Sequence, residues 1–188
     1  MAHDDKIDSI MESLRIATKH QVGDVMASWG FWSRGTSASN NSDKVLKNEV
    51  SYGKLIKENN YYKRPDCRST FQPHSQFLTD ALVEVLKLNL NAKIYREYFL
   101  KEISLRLDAL VFLTKGNRHL VFALEVCNTE LPEYLVSKVN ALKNYDGALQ
   151  TFSLLFETKI KAFDIVVSGD ISANGVFEFK NYIEEVKK

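Results

Sequence analysis

The chain has 188 residues, 45% hydrophobic and 26% charged, with 25 basic against 24 acidic side chains. This length and composition exclude a disordered or fibrous chain and predict one compact globular unit; the order of the predicted elements then gives a helical N-terminal extension over 1–73 and an α/β core over 74–188. The near-neutral balance excludes a chain that coats nucleic acid through bulk positive charge, although a local basic patch stays compatible with it.

Cys67 and Cys127 are the only cysteines and give no disulfide framework. No stretch is apolar and long enough to span a bilayer, and the opening Met1-Ala-His-Asp-Asp-Lys6 lacks the order of a signal peptide. A cytoplasmic protein with no membrane partner is expected.

In chain order, Ile7, Ile10, Met11, Leu14 and Ala17 recur at helical spacing and predict an amphipathic helix over Asp4 to His20. Trp29, Phe31, Trp32 and Arg34 follow; they either stack on bases or fill the edge of the core. Gly35 to Ser42 reads as a loop, and Ser42 as the N-cap of a helix from Asp43 to about Glu58. Its Lys44, Lys47, Lys54 and Lys57 either meet phosphates or form a solvated face. Asn59 to Ser75 reads as irregular, basic and aromatic, a nucleic-acid contact candidate through Tyr61, Tyr62, Lys63, Arg64 and Arg68.

A helix is predicted from about Ser75 to Leu90, with Asp80 and Glu84 on one face, then a strand from Ile94 to Leu100. Ser104 to Leu113 alternates as a strand, Thr114 to Asn117 is a turn, and Arg118 to Cys127 resumes β-favouring composition. Pro132 opens a helix with Leu135, Val139 and Leu142 inward and Lys138 at the border of that stripe. Gly147 marks a break, Lys161 to Ser168 a buried strand, and Gly175 to Lys187 a closing helix.

The hairpin fixes which side chains share a face. If its loop is Lys115 and Gly116, residue i faces 231−i; if the loop runs from Lys115 to Arg118, it faces 233−i. Both sums are odd, so Asp108 lies across from Ala123 or from Glu125, and Asp108, Glu125 and Cys127 share one face in either case. Two carboxylates on one sheet face, ending where the strand opens into a helix, suit a hard divalent cation such as Mg²⁺ or Mn²⁺. The alternative is a set of sheet-face ion pairs, Asp108 with Arg106 or Arg118 and Glu125 with His119 or Lys138.

The order of helix, Asp108 strand, turn, Glu125 strand and helix resembles the PD-(D/E)XK nuclease superfamily over roughly residues 74–168. The resemblance implies a restriction-endonuclease-like mixed sheet flanked by helices, and metal-dependent cleavage of phosphodiester bonds. Asp108 and Glu125 match its two acids, while Cys127 stands where its lysine usually is. The tract Glu125-Val-Cys-Asn-Thr-Glu130, followed by a lysine-bearing helix, is similar to the variant in CoiA-like nucleases, in which the lysine has moved; Lys138 would then be that lysine. The resemblance also implies Glu84 as an extra acid near the metal, DNA as the substrate, and a homodimer able to cut two strands. A nuclease-like fold without catalysis, serving as a nucleic-acid-binding or protein-interaction module, is the competing expectation, and Cys127 and the neutral charge favour it.

Overall fold

The computed structural model describes residues 3–68, 72–88, 91–115, 118–127, 132–169 and 176–188. The chain divides into two compact units, residues 1–90 and 91–188. The boundary expected at 73/74 thus falls at 90/91. The helix following it packs against helices of the first unit, so it belongs there.

The first unit comprises α1 (His3–Leu14), β1 (Ile16–Thr18), α2 (Lys19–Ser28), α3 (Thr36–Ser51), β2 (Ile56–Glu58), β3 (Tyr61–Lys63) and α4 (Pro73–Leu88). Ile7, Ile10, Met11 and Leu14 are buried, as their helical spacing requires. The single helix expected over Asp4 to His20 is nevertheless interrupted, because Arg15 adopts a left-handed φ of 63°. The chain leaves α1 there and β1 pairs antiparallel with β3. Thr18 restarts the helix through a capping box: its Oγ1 accepts from the Gln21 N–H, and the Gln21 carboxamide oxygen accepts from the Thr18 N–H at 2.8 Å.

The expected loop from Gly35 to Ser42 is the opening of α3 instead. Ser42 is not an N-cap; it is buried inside the helix, its hydroxyl reaching the Lys19 carbonyl at 2.6 Å and those of Ala38 and Ser39 at 3.0 Å. The helix also ends at Ser51, so Ile56 to Glu58 becomes a strand. With β3 it makes a hairpin in a stretch that composition marks as irregular from Asn59 on, and the three strands pair in the order β1-β3-β2. Trp29 settles at the core edge, where its indole N–H donates to the Leu86 carbonyl at 2.7 Å.

Helices α2 and α3 approach closely at Gly23, where an added Cβ would lie 3.0 Å from the Ala38 carbonyl carbon and 3.1 Å from Ser39 N. Those neighbours are backbone, so the helices would have to part. Gly23→Ala is therefore expected to lower stability by about 1–3 kcal/mol, read as a reduced midpoint in thermal or urea unfolding.

The second unit begins with β4 (Lys93–Arg96), β5 (Phe99–Leu100), a 3-10 turn over Lys101–Ile103, and β6 (Leu105–Arg106). It continues through β7 (Ala109–Lys115), β8 (Arg118–Val126), α5 (Pro132–Lys143), α6 (Ala148–Phe156), β9 (Asp164–Ser168), β10 (Phe177–Glu178) and α7 (Phe179–Lys187). Five strands form one mixed sheet in the order β10-β9-β8-β7-β4, antiparallel from β4 through β8 and parallel from β8 through β10. The expectation of an α/β fold with a mixed sheet flanked by helices holds at this level.

The strand expected from Ser104 is split. Ser104 sits at a left-handed φ of 50°, Leu105 and Arg106 pair with β5 in a separate ribbon, and β7 begins at Ala109. Its residues from Ala109 to Leu113 are all buried, which makes it a strand covered on both faces. On one face Leu110, Phe112, Val121, Ala123, Ile165 and Val167 pack with Leu135, Val139 and Leu142 of α5 and Phe152 and Phe156 of α6. On the other, the Phe122 ring meets the edge of Tyr182 from α7 at 5.1 Å. Among the described residues no helix is long and apolar enough to cross a membrane.

Candidate active site

The register of β7 on β8 places the two acids opposite each other. Lys115 pairs with Arg118 and Ala109 with Leu124, so every pair sums to 233. Gly116 and Asn117 lie outside the described residues. One step beyond the last pair stands Asp108 across from Glu125, on the face that carries Leu110 and Ala123 and that α5 covers.

Asp108 ends the ladder. Its carboxylate Oδ2 accepts the Val126 N–H at 2.7 Å, so a side chain on one strand holds the backbone of the other. Its own carbonyl accepts the Glu97 N–H at 2.7 Å, and the Leu107 N–H donates to the Tyr98 carbonyl at 2.8 Å. The strand is thus drawn toward β5 where the acid leaves the sheet, and Asp108 is half-buried.

Glu125 is only 2% exposed, near the end of β8, whose last six residues are all buried. Its Oε2 is held in a short contact by the ammonium of Lys138, itself 7% exposed. Lys138 lies between the inward residues Leu135, Val139 and Leu142, so its stem runs through apolar surroundings before its head reaches the carboxylate. The other oxygen of Glu125, Oε1, is buried with no hydrogen-bond partner among the described residues. Burial, and then the negative charge of Asp108, push the Glu125 carboxyl up to about 8, against the lowering effect of Lys138.

Glycine permits a close backbone approach just beyond the end of β8. The Cys127 N–H donates to the Ser168 carbonyl at 2.9 Å, and Gly169 follows at φ +146°. A Cβ there would stand 2.5 Å from the Cys127 carbonyl oxygen and 3.1 Å from its Cβ. Gly169→Ala is expected to displace the end of β8 and to cost about 1–3 kcal/mol of stability, measurable as a lowered unfolding midpoint.

Of the residues singled out from the sequence, Asp108, Glu125 and Lys138 therefore meet within the second unit. Glu84 lies on α4 in the first unit, where its carboxylate receives the Lys87 ammonium at 2.6 Å. The Cys127 side chain forms no disulfide and is half-buried, packed against the apolar cluster. Asn128, Thr129 and Glu130 lie outside the described residues. Of the alternative ion-pair partners, His119 instead stacks on Phe112, their ring centroids 5.3 Å apart. Tyr134 was not foreseen: it is 57% exposed, its ring 5.8 Å from the Lys138 ammonium. Its i, i+4 relation to Lys138 is the signal that could have found it.

Among the described residues no group of three His, Cys, Asp or Glu side chains gathers for a metal. Two carboxylates, one with a buried oxygen lacking a partner, still match Mg²⁺, which is bound by one or two carboxylates and keeps waters for the remaining positions. Compared with family models, with curated proteins and with solved structures, the chain matches none.

Proposed function

We propose that this chain is a divalent-metal-dependent nuclease with a restriction-endonuclease-like core, acting on DNA. The observation that carries the reading is the buried Lys138–Glu125 contact: a lysine from the following helix supplies positive charge beside the second acid, although Cys127 occupies the position two residues after it. The buried Oε1 of Glu125, without a hydrogen-bond partner among the described residues, and the second acid opposite it favour a site over a purely structural pair.

Asp108 and Glu125 would hold one Mg²⁺ or Mn²⁺ ion, with the Val126 or Cys127 carbonyl as a further donor. Such an ion lowers the pKa of a bound water and polarises the phosphate that it touches. Asp108, fixed by the Val126 N–H, would be one ligand, and Glu125 would have to lose its proton to be the other. Lys138, beside Glu125, would orient the attacking water and offset charge on the phosphoryl oxygens. The Glu84 carboxylate, paired with Lys87, carries no part of this reading. A homodimer would bring two such sites to two strands.

The test is cleavage of labelled single-stranded and double-stranded DNA and of RNA, with Mn²⁺ or Mg²⁺ and with a chelator. Cutting that needs the metal and falls below detection in both Asp108→Ala and Glu125→Ala supports the proposal. Binding without cutting, unchanged in both variants, would favour an inactive binding module.

A further inference from the structure

A second basic site lies wholly within the first unit. The start of α2, the middle of α3 and the turn of the β2–β3 hairpin surround a cavity of about 550 Å³ whose charged lining is Lys19, His20, Asp43, Lys47 and Lys57. That volume lies within the ~300–1,000 Å³ typical of small-ligand pockets. Its three lysines and one histidine face a single acid, in a chain whose overall charge is only +1.

That acid is already occupied. Asp43 Oδ1 accepts the Tyr62 hydroxyl at 2.8 Å and its Oδ2 the Lys47 ammonium at 2.7 Å. These two contacts hold the Asp43 carboxyl below the usual carboxylate range, so the cavity keeps one negative charge against three ammonium groups. Lys57 lies over the face of the Tyr62 ring, 5.5 Å from its centroid, and Tyr62 is itself buried. Lys54, by contrast, is committed to Asp8 and Glu49. The fold thus sorts lysines that the sequence presents as one group: Lys54 serves the unit's structure, while Lys47 and Lys57 join Lys19 around the cavity.

Two net positive charges, with amide donors from Asn59 and Asn60 in the lining, match the nearly −2 charge and three acceptor oxygens of a phosphomonoester better than the single charge of a carboxylate or an internal phosphodiester. We propose that this cavity binds a phosphomonoester group, with Lys19 and Lys57 as its principal charged contacts. The same chemistry is found on a free nucleoside monophosphate and at the phosphorylated end of a nucleic-acid strand. The inference stands apart from the hydrolytic reading of the second unit, since it needs neither Asp108 nor Glu125.

The test is equilibrium binding by the full chain, without divalent metal, of a fluorescent single-stranded 12-mer bearing either a 5′-phosphate or a 5′-hydroxyl, with adenosine 5′-monophosphate and inorganic phosphate as competitors. At least tenfold tighter binding of the phosphorylated 12-mer, lost in Lys19→Gln/Lys57→Gln but kept in the control Lys44→Gln/Lys93→Gln, supports the site with a strand end as ligand. Binding of the monophosphate alone, with the same dependence on Lys19 and Lys57, supports it with a free nucleotide as ligand. Equal loss in both double variants, or no preference for a phosphorylated ligand of either kind, overturns it. Circular dichroism of the variants, all altered at surface lysines or at the partly buried Lys19, checks that each is folded.

Discussion

Replacing Lys138 by methionine is expected to slow phosphodiester cleavage by about 10²–10³-fold, the scale on which losing one preorganised donor to a developing oxyanion is felt. Stability at pH 6–7 is expected to change by less than about 1 kcal/mol, because an apolar side chain of similar length refills the channel between Leu135 and Leu142. The Glu125 carboxyl, pushed up to about 8 even with Lys138 beside it, then stays neutral when the lysine is gone. The contrast separates two roles. A structural ion pair broken by removal of one partner would cost about 3–5 kcal/mol whether or not cleavage was affected. Rates from single-turnover cleavage and midpoints from urea unfolding, measured on the same preparations, provide the comparison.

Metal affinity is expected to rise by close to tenfold per pH unit up to about 8 and to level off above it. Without metal, Glu125 retains its proton to about 8, first because it is buried and then because Asp108 is near. The ion requires the carboxylate, so each binding event below that pH displaces up to one proton. The sign for folding follows from the same shift. The unfolded carboxyl ionises near 4.5, whereas the folded one holds its proton to about 8. Between these values the folded state binds more protons than the unfolded state. The contribution is therefore fully present below 4.5 and declines as pH rises through the window, by about 1.4 kcal/mol per unit. Added Mn²⁺ should consequently raise the unfolding midpoint more at pH 8 than at pH 6. An equal rise at both would mean that the ion does not displace a proton from Glu125.

The geometry of the acids was legible because it depends on parity alone. Any hairpin with a turn at Lys115 to Asn117 and an odd pairing sum puts Asp108 and Glu125 on one face, and the observed sum of 233 is one of the two that the turn allows. Lys138 was legible as a border residue of the stripe Leu135, Val139, Leu142, but which way it turned was not. Reaching Glu125 depends on how α5 crosses the sheet, a property of packing that periodicity does not contain.

The first unit was read less well, for local reasons. A left-handed Arg15 stops a helix that its apolar spacing would continue, and no glycine or proline announces it. Ser42 has the chemistry of an N-cap, yet here its hydroxyl serves carbonyls inside α3 and at Lys19. The β2–β3 hairpin has three-residue strands, too short for an alternating pattern to register. The unit boundary was missed because the apolar stripe of α4 identifies a buried helix without saying what buries it.

The measurement bearing most directly on the metal centre is a titration of the native chain, Asp108→Asn and Glu125→Gln with Mn²⁺ at pH 8, followed by the electron paramagnetic resonance signal of the free ion. The account predicts one Mn²⁺ bound per native chain and at least a tenfold weaker affinity in each variant, with the fold retained. Native-like Mn²⁺ binding in both variants, or none by the native chain, would contradict a metal centre built on these two acids.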